Sequence, residues 1–409
     1  MKYLLQRSGQ PIKGNIFLPA SKSISNRLLI IQALSGGFEI ENLSESNDTK
    51  VLQEALNSHC VLVDIGPAGT AMRFSTAYYS FVPGTRMITG SERMKNRPIG
   101  QLVDALRQLG ASIDYMEKDG FPPLKISGVL PKKNVVEIDG SISSQFISAL
   151  LLVAPSLPEG LTIKLRGKVI SSSYICLTLD LMRQLGVESN WQDDEIIVRH
   201  QEYHRTSYRV ESDWSAASYW YEMAVLSPEA DIFLAGLSAN SIQGDVAIAR
   251  LFEPLGVKTT YLPDGIRLSK APTTITKMEF DFSKNPDMVQ TFCVTLAMMG
   301  IPFRFSGCES LKIKETNRVA ALQTELLKFG VNITEPESGS LAWDGQYDSE
   351  RAEVPEIDTY ADHRMAMAFA PAVLKNSRLV INDPEVVMKS YPGFWDDIVE
   401  AGIIFSSVS

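Results

Sequence analysis

Two kinds of helical pattern alternate along the chain. In the first, apolar residues recur at spacings of three and four and stop at a hydrophobic residue followed by glycine. The segments are 98–113, 173–187, 244–257, 315–331 and 391–403, with a weaker copy at 47–59. That spacing predicts amphipathic helices with a glycine stop. The terminal glycines, Gly110, Gly186, Gly256, Gly330 and Gly402, lie 76, 70, 74 and 72 residues apart. The second pattern occupies 21–34, 69–81, 143–154, 213–226, 287–300 and 362–374. Each copy is polar only in its first turn and apolar almost all round afterwards, which predicts a helix buried inside a domain. Only its N-terminus can then reach solvent or a ligand.

Short β-branched stretches separate the helices, among them "FEIENL", "TRMITG", "LTIKLRG", "DIFLAGL", "FRFSG" and "LVIND", with "VVEIDG", "EIIVRH" and "VNITEP" in the gaps. They read as strands. The repeating element is therefore strand–helix–strand–helix plus one or two strands, about 70 residues long and present six times. Six such repeats suit two domains of three. No Gly-, Ser- or Pro-rich linker interrupts the chain, so any crossing between domains is expected to be short.

Composition changes this picture little. The 409 residues are 44% hydrophobic and 21% charged, ordinary values for a soluble globular protein. A formal net charge of −9 argues against a general nucleic-acid surface or an anionic membrane as partner. The N-terminus lacks a signal-peptide core, and no apolar run approaches a membrane span, so a cytoplasmic protein is expected. Cys60, Cys176, Cys293 and Cys308 lie far apart without CxxC spacing and read as buried free thiols. The four histidines form no zinc pattern. There is no GxGxxG and no Walker loop, so no dinucleotide, metal or other cofactor is implied.

Charge matters locally. Each repeat has two polar connectors, one before each helix. Lys22, Arg27, Arg73, Arg93, Lys95, Arg97, Lys314, Arg318, Arg364 and Lys389 all fall in them, with serines in "SKSIS", "SISS" and "ISSS". A single Ser at a helix start is ordinarily a cap. Six buried helices with cations in or beside their first turns instead suggest an array of anion sites, because helix N-termini attract phosphate and carboxylate. Several Lys and Arg imply a ligand with more than one negative group. Asp287, Glu315 and the run Asp362-His363-Arg364 place acids and a base among these cations, where proton transfer becomes plausible chemistry.

In order along the chain stand "SKSISNR", "AGTAMR", "SERMKNRPIG", "SISSQF", "ISSSYI", "NPDMVQT", "IKETNR", "YADHRMAM" and "MKSYP". With these motifs the chain resembles the 5-enolpyruvylshikimate-3-phosphate (EPSP) synthase family over essentially its whole length. The resemblance implies a two-domain inside-out α/β barrel of six βαβαββ repeats, three per domain. One domain would span 19–212, and the other 1–18 plus 213–409, with the active site in the cleft between them. The implied reaction moves the enolpyruvyl group of phosphoenolpyruvate to the 5-hydroxyl of shikimate 3-phosphate, releasing phosphate through a tetrahedral intermediate. No cofactor or metal is implied, and a monomer is expected.

By motif position, the resemblance assigns Ser23 and Arg27 to the shikimate carboxylate and Lys22 to the reacting oxygen, between the two substrates. Ser143, Ser144 and Ser171 would take the shikimate phosphate, Gln145 and Tyr174 would line the ring, and Lys314 would serve the same ligand. Arg97, Arg318, Arg364 and Lys389 would clamp phosphoenolpyruvate, near Gly69, Thr70 and Gln145. Asp287 would be the base toward the shikimate hydroxyls, Glu315 the group at the methylene carbon, and His363 an accessory donor. This chain departs from the family at Pro67, Phe74, Ser310 and Asn317. Pro67 and Phe74 are expected to border the phosphoenolpyruvate pocket, where glyphosate would compete. The sister enzyme acting on UDP-N-acetylglucosamine is disfavoured because "GSERMKNRPIG" lacks its reactive cysteine. A non-catalytic anion-binding protein is disfavoured because Lys22, Asp287, Glu315 and the arginines are all present.

Overall fold

In the computed structural model, which describes residues 1–408, the glycine stops and apolar helices become α/β architecture. All five terminal glycines hold positive φ, from 74° at Gly330 to 105° at Gly402. A side chain there would meet the left-handed penalty that glycine avoids. The chain divides into two compact units. A contiguous unit covers Ala20–Val210, and a split unit joins Met1–Pro19 to Glu211–Ser409.

The split unit is tied together by its first two strands. Lys2–Arg7 lies antiparallel between Arg378–Asn382 and Ile403–Val408. Ile12–Ile16 runs parallel to Ala230–Ala235. Four sheets share one pairing pattern: a parallel pair extended by two antiparallel strands. In the contiguous unit these are Leu62–Asp64, Gly84–Thr89, Leu124–Gly128, Ser112–Tyr115 and then Val135–Asp139, Leu161–Arg166, Glu195–Val198, Ser189–Gln192. In the split unit, Ile12–Ile16 and Glu356–Ile357 each open a sheet of this kind.

Each unit buries three helices of the second kind. In the contiguous unit they are Lys22–Ser35, Gly69–Phe81 and Ser144–Val153. In the split unit they are Trp214–Leu226, Val289–Met299 and His363–Phe369. The split unit's core also holds an aromatic chain: Tyr221 to Phe252 at 5.5 Å, Phe252 to Phe292 at 4.8 Å, and Phe292 through Phe282 to Phe305. No helix of the described residues is long and apolar enough to cross a membrane.

Several local expectations need correction. The 362–374 segment is broken at Ala370–Ala372, because Pro371 cannot continue the amide ladder. Segment 244–257 forms a 3₁₀ turn and one short helix, Ile248–Phe252. "FEIENL" contributes only Ile40–Glu41, paired with Tyr208–Arg209, and "VNITEP" makes two isolated bridges. Cys293 and Cys308 are buried, but Cys60 and Cys176 are exposed. Cys176 lies on the polar side of the amphipathic helix Ser172–Gln184, and Cys60 follows the helix Asn47–Asn57.

One buried polar group runs against the core. Glu222 lies in the middle of Trp214–Leu226, fully buried, and neither oxygen has a hydrogen-bond partner among the described residues. Burial pushes its carboxyl well above the usual range, against the opposing influence of the Thr295 hydroxyl. A raised folded-state pKa means that the folded chain keeps a proton which the unfolded chain releases. Stability should therefore fall as pH rises from the ordinary glutamate range toward the raised value. Glu222→Gln keeps the shape without the charge. We expect its urea midpoint to exceed the parent's at pH 8 and to match it near pH 4; equal midpoints at pH 8 would remove this account.

Candidate active site

The contiguous unit gathers hydroxyls, amides and cations at helix starts. Ser21 caps Lys22–Ser35 by accepting from the Ile24 amide, which leaves Lys22 and Ser23 half-buried in the first turn. The Lys22 Nζ donates to Asp48 Oδ2 at 3.2 Å. Asp48 is buried in the first turn of the neighbouring helix Asn47–Asn57. Ser143 caps the third buried helix, Ser144–Val153, by accepting from the Gln145 amide, and Ser144 is buried behind it. Ser171, buried, holds a left-handed backbone at φ 53° where Ser172–Gln184 begins. Gln145 Nε2 reaches Thr70 Oγ1 at 3.4 Å.

Arg97 lies against Gly69. A methyl group on Gly69 would come within 2.5 Å of the Arg97 Nη1, so glycine is required for the guanidinium to sit there. The residues flanking Arg97 are braced by Arg73, which donates to the Pro98 carbonyl at 2.7 Å and contacts the Met94 sulfur. Arg73 is buried with its ring partner Phe146 at 5.9 Å. It acts as a brace for the Arg97 segment.

Arg27 is turned further inward than a carboxylate clamp suggests. It is buried, and its guanidinium donates to Thr178 Oγ1, the Ser23 carbonyl, Ser148 Oγ and the Tyr174 carbonyl. Four of its five N–H groups are thereby used, leaving one on Nη1. Burial lowers this guanidinium to about 10, with Tyr174 opposing, so it stays charged at neutral pH. Phe74 packs under it at 5.5 Å and is itself buried. Phe74 therefore backs Arg27 and does not line an open surface, while Pro67 is exposed.

The split unit gathers ion pairs. Asp287 lies in the 3₁₀ turn Pro286–Met288, which leads into Val289–Met299. Lys314, Glu315 and Arg318 come from the connector and first residue of Arg318–Leu327. Asp362 caps His363–Phe369 by accepting from the Arg364 amide. Arg318 is 1% exposed and joins all three acids. It donates to Asp362 Oδ2 at 2.7 Å, Asp287 Oδ1 at 2.9 Å and Glu315 Oε2 at 3.0 Å. Arg364 holds the other Asp287 oxygen at 3.2 Å, Lys314 stands 3.5 Å from Asp287, and Lys389 donates to Glu315 Oε1 at 3.1 Å. His363 is buried with Nδ1 3.6 Å from Asp362 Oδ1.

The electrostatics follow from these contacts. Burial alone would raise the Asp287 carboxyl, but Arg364, Lys314 and Arg318 outweigh it and hold it well below the usual range. Burial would likewise depress Arg318, but Asp362, Glu315 and Asp287 outweigh that and raise it. The four cations Lys314, Arg318, Arg364 and Lys389 face three acids, Asp287, Glu315 and Asp362, so the cluster carries an excess of positive charge that favours an incoming anion.

Asp48, which the sequence reading did not single out, and Asp362 both stand at helix starts as caps do, yet each holds a cation. Asn317 caps Arg318–Leu327 by accepting from the Ala320 amide, a role Asp or Asn fills equally. Ser310 is buried in the 3₁₀ turn Glu309–Ile313.

A family model described as EPSP synthase (3-phosphoshikimate 1-carboxyvinyltransferase) matches residues 53–398. The chain belongs to this family. A 3-phosphoshikimate 1-carboxyvinyltransferase of Bacteroides fragilis is 51% identical over 404 residues, covering 98% of this chain and 98% of that protein. One from Colwellia psychrerythraea is 35% identical, covering 95% and 97%. The solved structure of EPSP synthase from Acinetobacter baumannii matches all of both chains with a TM-score of 0.76 at 20% identity, a likeness of fold.

A depressed carboxyl contributes stability above its unfolded pKa and loses it as pH falls toward the depressed value. Asp287→Asn, which leaves three cations short of a partner, should cost on the order of 3 kcal/mol at pH 7. The deficit should shrink as the pH drops through the ordinary carboxylate range. Urea unfolding at several pH values measures this, and a deficit independent of pH would contradict it.

Proposed function

We propose that this chain is a 3-phosphoshikimate 1-carboxyvinyltransferase, moving the enolpyruvyl group of phosphoenolpyruvate to the 5-hydroxyl of shikimate 3-phosphate with release of phosphate. The observation that carries the reading is the split unit's cluster, where Asp287 and Glu315 share Arg318 and each also holds a cation of its own. Family membership supplies the reaction, and the cluster supplies groups that suit it.

In this reading Ser143, Ser144, Ser171 and Lys314 take the shikimate phosphate, Ser23 and Arg27 the carboxylate, and Gln145 and Tyr174 the ring. The remaining Arg27 N–H and the Ser23 hydroxyl share the carboxylate, since Arg27 has no second N–H to offer. Lys22 serves the reacting oxygen. Arg97, Arg318, Arg364 and Lys389 grip phosphoenolpyruvate, with Gly69, Thr70, Gln145 and His363 beside them.

The chemistry needs a proton delivered to the methylene carbon while the 5-hydroxyl loses one and attacks the adjacent carbon. Phosphate then leaves as a methyl proton is taken back. Before substrate arrives, Arg364 and Lys389 are paired with the very carboxylates that must move protons. Phosphate and carboxylate groups of the substrate compete for those cations. As Asp287 and Glu315 lose them, both become more basic. Substrate binding thereby creates the base, and the remaining cations stabilise the departing phosphate.

We further read the fold as an inside-out α/β barrel of six βαβαββ repeats. The recurring sheet pattern and the regular glycine stops support this. The working form is proposed to be a cytoplasmic monomer.

Purified protein should release phosphate when given shikimate 3-phosphate and phosphoenolpyruvate. No release, or equal release with UDP-N-acetylglucosamine as acceptor, would overturn the assignment. Asp287→Ala should still bind shikimate 3-phosphate while turnover falls about 1,000-fold or more, as expected for a lost proton-transfer group. Near-normal turnover would reject that role.

A further inference from the structure

The turn that delivers Asp362, His363 and Arg364 has a backbone its sequence does not favour. Thr359 to Asp362 closes with the Asp362 amide donating to the Thr359 carbonyl at 2.8 Å. Its two central residues, Tyr360 and Ala361, both hold φ of 54°. Turns with two positive φ values normally recruit Gly, Asn or Asp. Here both positions carry a Cβ, and one carries a large ring. Such a conformation persists only where its surroundings impose it.

The helix Arg318–Leu327 imposes it from one face. At its start, Arg318 grips Asp362. Seven residues later, two turns along the same face, the buried Glu325 accepts from the Tyr360 hydroxyl at 2.7 Å and from the Asp358 amide at 3.1 Å. Lys328 donates both to Glu325 and to the Glu356 carbonyl. Segment 356–362 is thus fastened at both ends of one helix, with the strained pair between the fastenings. Asp362 also caps the following helix through the Arg364 amide. Any relaxation of the turn would shift that cap, Arg364 and the partner of Arg318 together.

We propose that Tyr360, acting through Glu325, is a positioning residue that keeps this strained turn in the shape required for Arg318 and Arg364 to receive phosphoenolpyruvate. The proposal rests on the functional reading above for the identity of the ligand. The Tyr360 ring is partly exposed, so removing its hydroxyl takes away the bond without opening a cavity.

The test uses four full-length proteins: the parent, Tyr360→Phe, Ala361→Gly and the double variant. Tyr360→Phe should raise KM for phosphoenolpyruvate about tenfold, the scale of one hydrogen bond to a charged group. KM for shikimate 3-phosphate and kcat should stay within about twofold. Ala361→Gly should behave like the parent, because glycine adopts the turn without strain. In that background Tyr360→Phe should cost about threefold or less. Equal KM changes for both substrates, or an equal loss in both backgrounds, would overturn the proposal. If the parent shows no turnover, the functional reading fails on its own. The urea midpoints of the same four proteins then decide the proposal: Tyr360→Phe must lower the midpoint less in the glycine background, and an equal drop overturns it.

Discussion

A single buried guanidinium, that of Arg318, is shared by Asp287, Glu315 and Asp362, and the order of the split unit's cluster depends on it. The three acids come from three separate stretches of chain, and burying them without a countercharge would be prohibitive. Arg318 sits at the first position of its helix with all three within hydrogen-bonding reach. Its planar fork holds the three carboxylates in fixed directions, where a lysine would offer only a compact point charge. Lys314, Arg364 and Lys389 then attach to acids already held in place. In the proposed reading, Arg318 meets phosphoenolpyruvate only by loosening one of these contacts. Its neighbours, with more exposed side chains, are better placed for exchange.

The contiguous unit solves the same problem differently. There, caps and helix starts present Ser23, Ser143, Ser144 and Ser171, and Lys22 is paired with Asp48. Anion binding at such a site relies on backbone dipoles and hydroxyls, which do not titrate near neutral pH. The split unit relies on ion pairs, whose carboxylates can also take up and release protons. In the proposed reading, one protein thus combines hydroxyls and helix starts that bind anions with carboxylates that perform acid–base chemistry.

The periodic features were legible in the sequence because they are local. Glycine stops, apolar helices and the cationic connectors all follow from residue spacing, although the helices at 244–257 and 362–374 are shorter than the pattern puts them. Pairings across the chain were not legible. Arg318 and Asp362 are 44 residues apart, and nothing near Asp362 distinguishes a cap from a counterion. The inward turn of Arg27 depends on Ser148 and Thr178, more than a hundred residues away. Phe74, read from sequence as bordering a pocket, proves to lie beneath that same arginine. The strained turn at Tyr360 and Ala361 carries no glycine to announce it, because its shape is dictated by a helix some thirty-five residues earlier. The break at Pro371, by contrast, has a purely local cause in the proline itself.

The placement of Lys2–Arg7 between the strands Arg378–Asn382 and Ile403–Val408 bears on how the chain is made. On a ribosome these six residues emerge before residues 20–210, and both of their partners emerge after them. Residues 20–210 form a contiguous piece that can collect itself while synthesis continues. The strand Lys2–Arg7 can pair only once Arg378–Asn382 and Ile403–Val408 have been made. Completion of the split unit is thus the later of the two events.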